Sequence, residues 1–493
     1  MEHSLDVERA AGSAARAAGS SVLPRIAILG AGPAGLGAAL RVARDGRAHA
    51  VVIEARDRVG GNAGSFELEG VHCDFGSHRL HPVVEPRVMA DIKAAVGDDL
   101  LWRPRHGRIR LQGRWIHFPL KPIDLLRHLP PSFIASLALD MAKKLMPRTE
   151  PAEKNFATVL NRGLGSTMSH SFYFPYARKL WGVEPEALAV TTAERRIANS
   201  SIAKILLKVA RQIPGLKRPN TGGFYYPRKG YGQISEALRH VAESHHAEFV
   251  FGARVSRIDH DGRRVHAVHY EQNGRSVEIA VDAAWSTLPI SLLVKLMSPA
   301  ASPEVQAAAD AIRFRGMILI YLILEQDQFS EYDAHYFPEE SIPMSRMSEP
   351  KNYSATKEPR GLTLLCAELP CDPGEESWSQ SDEELGRRMC QWLATAGLPV
   401  KAPVRRVVTR RLAHAYPVYD RSYAAHFETM DRWLAGFNGL LTFGRQGLFA
   451  HDNTHHALAM AYAAADCLGS NGAFDANRWA KHRRDFETHV VED

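Results

Sequence analysis

The stretch "IAILGAGPAGLGAAL", Ile26–Leu40, places a short apolar run before a glycine-rich turn and a run of small residues. Arg25–Leu29 has the composition of a buried strand. Gly30, Gly32 and Gly35 then spell G-x-G-x-x-G at the mouth of a helix that runs through Leu36–Ala43. Each glycine has a physical reason: Gly30 permits the tight turn, Gly32 admits a pyrophosphate close to the backbone, and Gly35 lets helix and strand pack closely. The free N–H groups and dipole of the helix N-terminus favour an anion there. Pro33 is tolerated in the first turn, where its missing N–H has no intrahelical partner, and Ala34 follows it. A second strand, His49–Ala55, ends in Glu54, 19 residues after Gly35. A carboxylate at that spacing accepts hydrogen bonds from an adenosine ribose. Strand, loop, helix, strand and acid in this order predict a Rossmann-type α/β unit that holds a dinucleotide. The plainer reading of Glu54 is a surface acid after a strand.

The remaining composition narrows the class of protein. With 493 residues, 45% hydrophobic and 24% charged, the chain has the makings of a globular protein with more than one packed unit. Its net charge of +6 is scattered, in clusters such as Arg405–Arg406 and Arg410–Arg411, rather than gathered in a basic stripe with aromatics. Nucleic acid is therefore not an expected partner. Five cysteines (Cys73, Cys366, Cys371, Cys390, Cys467) form no CxxC pair, which fits a reducing cytoplasm better than a disulfide framework. Residues 1–22 lack an apolar core and read as a flexible tail. The run Gly316–Leu324 is too short to span a bilayer and reads as a buried strand. His455 and His456 are adjacent, so on a helix they point about 100° apart; without a third ligand in view, no metal is expected.

The stretch "EARDRVGG", Glu54–Gly61, resembles the E-A-R-x-R-x-G-G of the flavin amine oxidase superfamily. The resemblance implies FAD rather than NAD, with Ala55, Arg56 and Asn62 along the cofactor and Gly60 and Gly61 near its diphosphate. Later blocks are similar to two branches of that superfamily, the protoporphyrinogen oxidase-like oxidoreductases and the UDP-galactopyranose mutases. "FGSHRLHP" (Phe75–Pro82) resembles the mutase G-x-H-x-x-H, in which His78 would sit against the flavin ring. "HGRIRLQGRWIHFPL" (His106–Leu120) reads as a hairpin turning at Gln112–Gly113. "ARVSRIDHDGRRVHAV" (Ala253–Val268) reads as another, with Val255 where the family meets the adenine through its backbone. "LLTFGRQGLFAHDNTHHALAMAYAAADCL" (Leu440–Leu468) reads as a strand ending at Gly444–Arg445 and a helix starting near Asn453. In the family this block meets the ribityl or pyrimidine end of the flavin, which would engage Gly444, Arg445, Asp452 and Asn453. Asp452 and Asn453 also suit helix caps, a role that coexists with a cofactor contact.

The resemblance implies an α/β fold in which a Rossmann-type FAD-binding domain carries an inserted α+β substrate domain. The expected divisions are a tail at 1–22, FAD-binding segments at 23–95, 221–297 and 426–485, and substrate segments at 96–220 and 298–425. Two chemistries follow from the two branches. In one, an oxidoreductase takes hydride from a small-molecule substrate onto flavin N5. In the other, a redox-neutral mutase uses reduced flavin on a nucleotide- or lipid-linked sugar. "IPMSRMSEPKNYS" (Ile342–Ser354) and "AYPVYD" (Ala415–Asp420) resemble mutase segments, so that Arg346 and Tyr416 would meet a substrate diphosphate. Against this, Ser200 replaces the second substrate-contacting arginine of the mutases, and "WSTLPISLL" (Trp285–Leu293) resembles the oxidoreductases. One lost charge-assisted bond costs on the order of 1.5–3 kcal/mol, so the oxidoreductase is the expected activity. The candidate catalytic residues, His78, Arg346 and Tyr416, each have a plainer reading. His78 suits a core histidine bonded to backbone, Arg346 a surface pair with Glu349, and Tyr416 and Tyr419 packing beneath a loop. The apolar, basic stretch Pro122–Arg148 suits a helix pair packed on the domain better than a membrane-surface anchor. The expected partner is a small-molecule substrate, with a diphosphate-bearing sugar among the candidates.

Overall fold

A computed structural model describes residues 23–144, 146, 153–197 and 222–490. The predicted tail at 1–22 and Ser200 lie outside the described residues. Five parallel strands form the first sheet, in the order Leu440–Thr442, Ala283–Ser286, Arg25–Leu29, His49–Ile53, Glu248–Val250. They are drawn from three separated stretches of chain. Alternation along the central strands serves two cores: Ile26, Ile28, Ala50 and Val52 face one, and Ala27, Leu29, Val51 and Ile53 face the other. Helix Pro33–Arg44 covers the first face, flanked by helices Gln233–Ser244 and Thr454–Asp466. The last of these comes very close. A Cβ on Gly37 would lie 3.0 Å from that of Ala461, so small residues on both helices set the spacing.

The second sheet has seven strands, in the order Val404–Pro417, Phe314–Leu324, Thr363–Pro370, Arg346–Ser348, Ala334–Tyr336, Gly107–Leu111, Arg114–Phe118. The strand Phe314–Leu324 is buried along almost its whole length because it too serves two cores. Ile318, Ile320 and Leu322 meet Leu385, Met389 and Leu393 of helix Asp382–Thr395. Met317, Leu319 and Tyr321 meet Phe66 and Cys73 of the hairpin Ser65–Asp74. This sheet and the helices Phe156–Leu164 and Phe174–Trp181 make an α+β region inserted between the strands of the first sheet, giving the α/β fold expected.

Local sequence signals map closely onto elements. The hairpin predicted around Gln112–Gly113 turns there, with both residues at positive φ (54° and 69°), the geometry that favours glycine. The second hairpin pairs Ala253–His260 with Val265–Gln272. Pro122–His128 and Pro131–Lys143 form a helix pair that packs Leu129 and Phe133 on Ile109, Leu111 and Ile116. No helix among the described residues is long and apolar enough to cross a membrane. Two strand ends differ from expectation, and the first is that of His49–Ala55, which stops at Ile53. The strand expected to end at Gly444–Arg445 stops at Thr442, and Gly444–Gly447 form a single helical turn. The neighbouring strand ends at Ser286, whose carbonyl accepts a last bond from Phe443 N, so the ladder has no further partner.

His335, almost wholly buried, has no hydrogen-bond partner at either ring nitrogen. Trp115 packs edge-on against it at 5.5 Å. Burial, and then the charge of Arg108, hold its pKa well below the ordinary 6.5. The unfolded chain takes up this proton near 6.5 and the folded chain does not. The stabilisation is therefore complete above that pH and is lost as pH falls below it. Thermal unfolding at pH about 7.5 and about 5 should show a fall in midpoint that is smaller in His335→Phe; identical falls would contradict the assignment.

Candidate active site

The glycine turn is held from both sides. Gly30, at φ 101°, donates its N–H to Ile53 O at 2.9 Å. A Cβ on Gly35 would lie 1.9 Å from Gly30 O, so no side chain fits between helix and turn. Gly32 is different. Its φ of −72° suits any L-residue, and a Cβ there would meet nothing within 4 Å. Neither backbone conformation nor packing explains a glycine at 32, where the backbone is left bare towards the cavity.

A second glycine turn closes on the first. Gly60, at φ 101°, donates its N–H to Ala31 O at 2.8 Å. A Cβ on Gly61 would come within 3.3 Å of Gly32 Cα. Glu54 ties the two together: Oε2 accepts from Ala31 N at 2.7 Å and Oε1 from Arg56 N at 2.9 Å. An ionised carboxylate has about four lone-pair sites, so acceptor capacity remains for ribose hydroxyls. Arg56 donates through Nη1 to Gly61 O and stacks over Phe75.

These turns form one end of a cavity of about 460 Å³. Gly30, Gly32, Pro33, Ala34, Glu54, Arg56, Gly61 and Asn62 line it, together with Arg445, Asp452 and Asn453 from the far end of the chain. Gly35, Ala55, Gly60, Val255 and Gly444 do not line it. Gly444, at φ 82°, instead abuts the first turn, where a Cβ would sit 2.7 Å from that of Ala34. Val255 packs beside the second core. Arg445 spans the join: Nη2 donates to Ala415 O at 2.9 Å, Nη1 to Asp452 O at 3.3 Å, and its guanidinium lies 5.1 Å from the Tyr416 ring. Asn453 caps helix Thr454–Asp466.

His78, Arg346 and Tyr416 line the same cavity. The His78 ring is bonded through Nε2 to Phe75 O at 2.9 Å and stacks on Tyr231. Its backbone contact and its place in the lining coexist. Burial pushes its pKa below 6.5, against the opposing charge of Asp74, so the ring is neutral near pH 7. Arg346 does not pair with Glu349 on a surface turn. It makes a forked ion pair with Glu368: Nε to Oε1 at 3.0 Å, and Nη2 to Oε1 and Oε2 at 2.8 and 2.9 Å. The two residues face each other across adjacent antiparallel strands. Burial opposes the charge, yet Glu368 holds the guanidinium pKa far above its ordinary value. Glu349 turns inward, accepting from Phe329 N, Ser330 N and Thr363 Oγ1. Tyr419 is buried, its hydroxyl donating to Phe449 O, whereas Tyr416 reaches the cavity.

Sequence reasoning missed Glu368, which also accepts Ser77 N at 2.7 Å and so fixes the backbone beside His78. Its signal was a lone acid in the otherwise apolar "TLLCAELP", a strand buried at every position. Arg79 was missed as well. It donates to the hydroxyls of Tyr336 and Tyr353 at 2.8 and 3.0 Å and lines the cavity with Tyr336.

A family model described as flavin containing amine oxidoreductase matches residues 33–456. Among solved structures, the fold is similar to a reduced UDP-galactopyranose mutase at 21% identity, covering 95% of this chain and 100% of that one, with TM-score 0.77. It is also similar to a putative protoporphyrinogen oxidase from Exiguobacterium sp. 255-15 (19% identity, 90% and 98% covered, TM-score 0.66). A third is the cyclohexylamine oxidase of Brevibacterium oxydans IH-35A (17%, 90% and 98%, TM-score 0.62). At these identities the likeness is one of fold.

Gly32→Val should separate folding from cofactor binding. The variant is expected to unfold at a temperature close to the parent's apoprotein while retaining little or no flavin absorbance after purification. A yellow, fully loaded variant would show that nothing approaches the turn at Gly32.

Proposed function

Because the chain belongs to the flavin-containing amine oxidoreductases, with FAD as the cofactor, we propose that it oxidises a small anionic molecule by hydride transfer. FAD supplies the hydride acceptor, and the protein supplies binding, orientation and electrostatics. In this reading the turns at Gly30–Ala34 and Gly60–Asn62 hold the diphosphate, and Glu54 holds the adenosine ribose. Arg445, Asp452 and Asn453 border the flavin end, where His78, Arg346 and Tyr416 shape the substrate space. A neutral His78 presents no charge to the reacting atoms. Arg105, Arg411 and Arg445 also line the cavity and favour a substrate carrying negative charge.

The observation that carries the reading is the Arg346–Glu368 pair. A mutase must stabilise a departing nucleoside diphosphate, and an arginine serves that best when its charge is uncompensated. Here the guanidinium is already balanced by a buried carboxylate through Nε and Nη2. Hydride transfer asks only that the C–H bond be held close and correctly oriented. One observation favours a second reading, a redox-neutral sugar mutase: His78, Arg346 and Tyr416, all taken from mutase-like segments, line one cavity.

Anaerobic mixing of the purified protein with nucleotide sugars, amines and porphyrinogens separates the two. The proposal expects one class of substrate to bleach the visible flavin absorbance without added reductant. Turnover of a sugar substrate only after chemical reduction, with no net electron transfer, would replace it with the mutase.

A further inference from the structure

At the start of helix Thr454–Asp466, Asp452, which borders the cavity, meets two histidines that the FAD reading does not use. Asp452 is buried to 2% exposure. Its Oδ2 lies 3.2 Å from Nδ1 of His489, in the C-terminal segment, and its Oδ1 has no hydrogen-bond partner. That open oxygen faces Nδ1 of His456 at 3.9 Å. One donor atom from each of the three residues lies within 4.8 Å of the other two. The imidazoles of His456 and His489 stack, centroids 4.3 Å apart and planes 16° apart, and both are largely shielded from solvent. A buried carboxylate oxygen left without a partner is unfavourable; a cation between the three donors would satisfy it.

We infer that Asp452, His456 and His489 bind a divalent transition-metal ion. Two imidazoles and one carboxylate suit zinc, cobalt, nickel or iron(II), and are a poor match for calcium or magnesium, which prefer all-oxygen sites. Donors to such an ion stand about 2.0–2.2 Å from it. The three donor atoms lie within 4.8 Å of one another, so binding would draw them together and turn the stacked rings towards the ion. The ion would replace the contact from Asn453 N to His456 Nδ1, which at 3.3 Å is long. The sequence pair His455–His456 is thus not the ligand pair. The third donor comes from Asp452, four residues before His456, and the fourth coordination position is left for water. The ion would fasten the C-terminal segment to Asp452, Asn453 and Thr454, three residues that line the cavity.

The test uses the full-length, untagged, FAD-loaded protein, stripped with a chelator and titrated with Zn²⁺ against a chromophoric competitor. Metal content is read by mass spectrometry, and Co²⁺ replaces Zn²⁺ for a ligand-field spectrum. One Zn²⁺ per chain is expected, with affinity weakened at least about 10-fold in His489→Ala and in His456→Ala. His240→Ala, on a separate helix, should bind as the parent does. His489 lies outside the cofactor turns, so His489→Ala should keep its flavin, and a matched flavin spectrum certifies its fold. The inference is overturned if binding is not saturable, or if His489→Ala binds Zn²⁺ as tightly as the parent.

Discussion

Gly35 approaches the carbonyl of Gly30 so closely that a single methyl group would occupy the space of the oxygen. That contact draws the helix Pro33–Arg44 onto the first strand and aims its N-terminus at the cavity. The second turn, at Gly60–Gly61, then packs so close that a Cβ on Gly61 would lie 3.3 Å from Gly32 Cα. Glu54 fixes the pair of turns through two backbone N–H groups. The third component arrives some 400 residues later, when Gly444 packs on Ala34 and Arg445 bridges Ala415 and Asp452. Three stretches distant in the chain therefore depend on positions where no side chain is permitted. Gly32, by contrast, is spared any internal clash and lines the cavity.

The other end of the cavity is organised by charge rather than by close approach. Glu368 accepts from Arg346 and from Ser77 N, so one buried carboxylate positions both an arginine and the loop carrying His78. Arg79 extends the network through Tyr336 and Tyr353. Removing one member of a buried ion pair costs about 3–5 kcal/mol because the other is left without a counter-charge. At this end of the cavity the arginine is held by a buried carboxylate, for shape as much as for charge.

What was legible in the sequence was whatever depends on near neighbours. Glycine spacing, the apolar run Gly316–Leu324, the Gln112–Gly113 turn and the cap at Asn453 are local backbone events, and the structure has each of them. The family was legible for the same reason, through short motifs around Glu54–Gly61 and Leu440–Leu468. Pairings across strands were not. Glu349 suggests itself for Arg346 because three residues separate them; the true partner is Glu368, opposite it by strand register. Nothing local announces that register. His489 likewise reaches Asp452 only because the last helix folds back on Thr454–Asp466. The end of the strand Leu440–Thr442 is not legible locally either, since it depends on where its neighbour stops.

The central claim is that the two glycine turns, with Glu54, grip the adenosine diphosphate half of FAD. Titrating the apoprotein with FAD and with FMN, followed by flavin fluorescence, tests it most directly, because FMN lacks the adenosine and its phosphate. Stoichiometric binding of FAD, with FMN weaker by at least about 100-fold (roughly 2.7 kcal/mol), is the expected result. Equal affinity for the two flavins would contradict the account.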